Sequence, residues 1–129
     1  MSDKGHTIVL DNPMELEPIF GTPYPTPLQE SSKGREKRAM GDAVGIVHYG
    51  VNLVHIPPGE VSSQRHWHSK QDEFLYMLEG EVSYRHGDHL YALKPGDTLF
   101  FDADAPHGPE ILQKLPALYL SIISYPQVT

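Results

Sequence analysis

From Ala43 to the C-terminus the sequence never sustains an apolar repeat of 3.6 residues, and no other feature constrains the fold as much. Hydrophobic residues come in runs of five to nine, separated by Pro57-Pro58-Gly59, Ser69 to Asp72, Glu79-Gly80-Glu81, His86-Gly87-Asp88, Pro95-Gly96-Asp97 and Ala105-Pro106-His107-Gly108-Pro109. Each separator is rich in residues that set or tolerate turn dihedrals. The spacing predicts strands near 46–56, 61–68, 73–79, 81–86, 89–94, 98–101, 107–113 and 117–124. Short strands at such regular intervals make an all-β sandwich or barrel.

A chain of 129 residues makes one domain and buries a real core without staples. Cysteine is absent, which excludes disulfides and Cys-based metal sites and fits a reducing compartment, so a cytoplasmic location is expected. The formal charge is −7, and the one basic cluster is KGREKR, Lys33 to Arg38. That balance argues against nucleic acid as a partner, and the cluster reads as a solvated loop. The first residues, MSDKGHTIVL, have neither the charge nor the apolar length of a secretory signal. The longest apolar stretch, Leu115 to Tyr125, is broken by Pro116 and two serines, and no membrane span is expected.

Residues 1–40 differ from the rest. Five prolines fall between Pro13 and Pro27, and proline lacks the N–H that a helix interior or central strand requires. This stretch is expected to be an extended arm, its apolar residues packing on the barrel or a partner, with 41–129 as the barrel domain; a free leader is the alternative. In the run FLYML, Phe74, Tyr76 and Leu78 share one face of a strand while Glu73, Leu75 and Met77 share the other. Both faces are apolar, so the outer one should meet a second subunit or the arm, and a homodimer is expected.

The segment RHWHSKQDEFLYMLEGE, Arg65 to Glu81, carries the chemistry. His66 and His68 are two apart, which on a strand points both imidazoles to one face with Cα atoms roughly 6.5–7 Å apart, near enough to grip one ion. Ser69 to Asp72 reverses the chain, and Glu73 opens the returning strand beside them. A fourth ligand must come from a distant strand, and His107 ends the next apolar run. With 8 histidines in 129 residues, an H-x-H pair arises by chance about 0.5 times. Adding the later Glu, Gly and His at their spacings lowers that to roughly one in a few thousand. A polar cluster that is no site remains the bland alternative.

His66-x-His68, then Glu73 and Gly80, resembles the first motif of the cupin superfamily, and Gly96 with His107 resembles the second. The motifs stand fifteen residues apart, Glu81 to Pro95, as in small single-domain bacterial cupins, and cover about residues 59–111. The stretch PGDTLFFDADAPHG is also similar to cupin modules attached to helix-turn-helix regulators, although the proline-rich first 40 residues cannot supply that DNA-binding part. Six residues rather than five separate Gly59 from His66. Asp102, Asp104 and Ile111 replace the second motif's Pro, Gly and Asn. None of these is a ligand position, so the resemblance implies a cupin jelly-roll β-barrel with His66, His68, Glu73 and His107 as metal ligands.

Three imidazoles and a carboxylate suit one divalent transition metal ion, Fe, Mn, Ni, Co, Cu or Zn, and leave coordination positions for a small-molecule ligand. The resemblance implies dioxygenation, isomerisation or decarboxylation of a small oxygen-rich metabolite. The alternatives are a non-catalytic module binding a sugar or effector, or a storage-like structural cupin. Strand parity puts Gln64 with His66 and His68, and Leu75 and Met77 with Glu73, as pocket-lining residues or ordinary barrel filling. No catalytic base is legible: His48, His55, His86 and His89 read as structural or solvent-facing, and Tyr49, Tyr84 and Tyr91 as packing.

Overall fold

The structure, a computed structural model, describes residues 8–20, 35–59, 71–102 and 104–124. The predicted strand at 61–68, with Gln64, His66 and His68, lies outside the described residues. A 3-10 turn, Pro13–Glu15, is capped by the Asn12 side chain, which accepts from the Met14 N–H at 3.1 Å. Then follow β1 (Ile19–Phe20), β2 (Glu36–Ala39), α1 (Met40–Val44), β3 (Tyr49–Ile56), β4 (Asp72–His86), β5 (His89–Leu93), β6 (Thr98–Asp102) and β7 (His107–Ser124). All described strand pairs are antiparallel, in the order β1-β2-β3-β7-β4-β5, with β6 paired to β4.

Two predicted strand pairs are each one long, bent strand. β4 runs through Glu79-Gly80-Glu81 instead of turning there, and β7 runs through Pro116. The β4–β7 register slips between Met77 and Val82, so bulges bend the strands without ending them. Gly80 has φ of 78°, and a Cβ there would fall 2.6 Å from the Lys114 carbonyl oxygen and 2.7 Å from Ala117 Cα. Only glycine fits that crossing. Proline is likewise tolerated in a strand where bulging has broken the ladder.

The bend makes the barrel. The first half of β4 pairs with β6 and the second half of β7; the second half pairs with β5 and the first half of β7. The halves face each other across one core that joins Leu75 and Met77 to Val82, Tyr84, Leu93 and Tyr119. This is a barrel, as the strand spacing implies, and the jelly roll that the resemblance implies. Alternation along FLYML holds: Glu73, Leu75 and Met77 are buried, while Tyr76 and Leu78 are 37% and 38% exposed. A Pro-Gly turn joins β5 to β6, with Gly96 at φ 94° and the Asp97 N–H donating to the Lys94 carbonyl at 2.9 Å.

The basic cluster is a correction. Glu36 to Arg38 are not a solvated loop but part of β2, which pairs with β3, and Arg38 is only 8% exposed. The reason is self-neutralisation: Glu36 and Arg38, two apart and so on one face, form an ion pair at 3.0 Å, and His55 Nδ1 stands 3.2 Å from Glu36. Burial alone would raise the Glu36 carboxyl, but His55 and Arg38 outweigh it and hold its pKa below the ordinary value. The one-turn helix α1, closed by Gly45 in the left-handed conformation, delays the first predicted strand from residue 46 to Tyr49.

Candidate functional site

Glu73 and His107 come from opposite halves of the bent sheet and meet inside the barrel. The His107 side chain is fully buried and Glu73 is 5% exposed, and His107 Nε2 lies 3.4 Å from Glu73 Oε1. His107 opens β7 just after the Ala105-Pro106 turn, whose Ala105 carbonyl is 3.0 Å from Nδ1. A carbonyl only accepts, so Nδ1 carries a proton, and Nε2 is the ring atom turned toward Glu73. The ring is held between Phe101, at 4.9 Å between centroids, and Tyr84, stacked at 6.4 Å.

Glu73 is held from its other oxygen. Oε2 accepts from the Tyr84 hydroxyl at 3.4 Å and from Ser121 Oγ at 3.5 Å. Oε1 is buried and has no hydrogen-bond partner among the described residues. Burial, and then the Glu73 charge, push the Tyr84 phenol far above its usual pKa, so it stays protonated and donates. Tyr119, also buried, is raised by the same two influences, with Arg35 opposing.

Leu75 and Met77 share the Glu73 face and belong to the apolar core. Gln64, His66 and His68 lie outside the described residues, and among the described residues no group of three or more His, Asp and Glu side chains converges. Tyr84 and Ser121 are contacts that sequence reasoning missed. Tyr84 stands eleven residues from Glu73, and strict alternation would put it on the opposite face; the β4 bulges reverse the parity. A polar-tipped aromatic beyond a strand glycine was the available signal. His86, read as solvent-facing, packs on Phe101 at 4.9 Å with Nε2 at 2.8 Å from the Asp102 carbonyl, directly across the ladder from His107. His55 lies in the Glu36 pair instead.

The fold and the site together define a jelly-roll β-barrel with a carboxylate and an imidazole brought together in its interior. Residues 52–123 match the cupin domain, and this chain belongs to the cupin family. It is similar to a solved sugar phosphate isomerase of the cupin superfamily from Silicibacter pomeroyi, at 33% identity and a TM-score of 0.77, over 87% of this chain and 73% of that one. A predicted oxalate decarboxylase from Thermotoga maritima shares 22% identity over 90% of this chain and 98% of that one, TM-score 0.69. The cupin domain of an XRE family transcriptional regulator from Enterobacter cloacae shares 19% over 72% and 98%, TM-score 0.60. At those two identities the likeness is one of fold. No curated protein matches the sequence. Among the described residues, no helix is long and apolar enough to cross a membrane.

Proposed function

We propose that the protein is a metal-dependent cytoplasmic cupin enzyme acting on a small oxygen-rich metabolite, with His66, His68, Glu73 and His107 holding one divalent transition metal ion. The observation that carries this reading is the buried Glu73 Oε1, without a hydrogen-bond partner among the described residues and 3.4 Å from His107 Nε2. A buried carboxylate oxygen left so is costly unless a cation completes it. An imidazole nitrogen and a carboxylate oxygen are donor types that such an ion would accept. The Ala105 carbonyl fixes the tautomer such a ligand needs, and Tyr84 and Ser121 hold the carboxylate, which is how outer partners orient ligands.

A bound divalent ion supplies polarisation of a carbonyl or enol oxygen. Of the reaction classes the resemblance implies, isomerisation is supported by the 33% identical Silicibacter pomeroyi protein. The test is metal analysis of protein purified without chelator or added metal, beside His107→Ala. About one equivalent of metal, lost in the variant, is expected; an empty site that stays empty after anaerobic Fe(II) or Mn(II) reconstitution overturns the reading.

The same reading includes a homodimer. The outer face of the first-half sheet carries Phe100, 67% exposed, beside Phe74 across the β4–β6 ladder, with Tyr76 and Leu78 further along β4. A second copy would cover this apolar face, as one side of an antiparallel sheet otherwise stays polar.

A further inference from the structure

Arg35 stands immediately before β2, and the β2–β3 register, Glu36 opposite His55 and Lys37 opposite Val54, brings it to the level of Ile56. Alternation turns Arg35 and Lys37 to the face on which Val54 and Ile56 enter the core, away from Glu36, which is engaged on the other face with Arg38 and His55. The nearest acid in sequence is therefore out of play. Arg35 is half-buried, and its Nε is shielded from solvent with no hydrogen-bond partner among the described residues. On that face Val54, opposite Lys37, pairs in turn with Tyr119 across the β3–β7 ladder, and Val54 and Ile56 share one core with Tyr84 and Tyr119. The Arg35 charge accordingly opposes the rise that burial and Glu73 give both phenols.

One pair of buried tyrosines thus stands within electrostatic reach of both an anionic and a cationic group. A shielded guanidinium N–H without an acceptor is an unfavourable arrangement that an incoming acceptor would relieve. The guanidinium presents a planar fork of donors matched to two oxygens of one anion, a match an ammonium lacks. Exposed Lys37, two residues along on the same face, adds positive charge to the approach.

We propose that Arg35 is an anion-binding residue of the cupin interior, taking a carboxylate or phosphate group of the small molecule whose opposite, oxygen-bearing end lies at Glu73 and His107. The inference rests on the functional reading above only for that second end. It assigns the ligand a chemical class, a small organic anion, and a direction across the tyrosine pair.

The test is calorimetric titration of the full chain as purified with inorganic phosphate and, separately, malonate, at constant ionic strength, for wild type, Arg35→Met and Arg35→Lys. Metal content is measured on the same samples. Wild type is expected to bind at least one anion saturably, Arg35→Met about tenfold or more weakly, and Arg35→Lys, which keeps the charge but loses the fork, in between. Preference for phosphate or malonate distinguishes the two anion sources. Anion binding absent in wild type, or unchanged in both variants, overturns the proposal. Arg35→Lys decides the matter if Arg35→Met fails to fold. Protein without metal that still binds the anion through Arg35 removes the metal reading and keeps this one; loaded protein whose anion binding ignores Arg35 does the reverse.

Discussion

The Tyr84 hydroxyl donates to Glu73 Oε2 at 3.4 Å although both residues belong to β4 and stand eleven apart. A straight strand would hold them about 36 Å apart. The bend at Gly80 folds one half of the strand over the other, so the position of the Glu73 carboxylate depends on a residue that has no functional group.

Gly80→Ala is therefore expected to be severely destabilising, by more than about 3 kcal/mol. It combines a left-handed backbone with a Cβ driven against the β7 backbone. Gly96→Ala is the comparison, since Gly96 has a similar φ but nothing within 4 Å of the added carbon; it should cost about 1–2 kcal/mol. Urea denaturation of both separates backbone strain from collision. Equal losses would show that the strands part at Gly80 without cost.

Tyr84→Phe removes the donor to Glu73 and keeps the ring that stacks on His107. The barrel should stay folded while metal affinity, measured against a competing chelator, falls about 10- to 100-fold, the usual effect of losing an outer partner. Unchanged affinity would mean that Ser121 alone orients the carboxylate.

Glu36 sets an acid limb. Its folded pKa lies below its ordinary value of 4.5, so folding favours the ionised form. The resulting stabilisation is complete above the ordinary carboxylate range and is lost as pH falls through the depressed folded value. The melting temperature of Glu36→Gln should lie below wild type at neutral pH and converge with it in acid. Parallel curves would contradict the role given to His55 and Arg38.

Phe100→Asp tests the apolar outer face. Sedimentation velocity is expected to report a wild-type dimer and a folded, monomeric variant, because an exposed side chain carries little stability within one protomer. A wild-type monomer at micromolar concentration would remove the dimer.

Much of this barrel was legible in the sequence because two-residue periodicity survives wherever a strand pairs regularly: the Glu73, Leu75, Met77 face was readable from FLYML, as were the turns at Gly87 and Gly96. What escaped lies where pairing is irregular. The slip near Gly80 swaps odd for even, so Val82 and Tyr84 face inward though alternation from Glu73 turns them out. Pro116 reads as a break only until bulging is allowed for. Arg38 resembled a solvated charge because Glu36 comes onto its face only once the segment extends as β2, and His55 engages Glu36 only once β2 lies on β3. Glu73 and His107 carried a spacing signal; Ser121 and Arg35 carried none, since their relation to the site exists only in three dimensions.

β4 and β7 each pass through both halves of the barrel, and their ladder joins residues as far apart as Glu73 and Ile123. Neither half can be completed by neighbours in sequence, so the closing contacts are non-local and the entropy of closing long loops must be met before they form. Folding should accordingly be slow and all-or-none, on the millisecond-to-second scale of β-sandwiches. A chain arrested midway would have no half-built pocket, because Glu73 and His107 lie on opposite halves of the barrel.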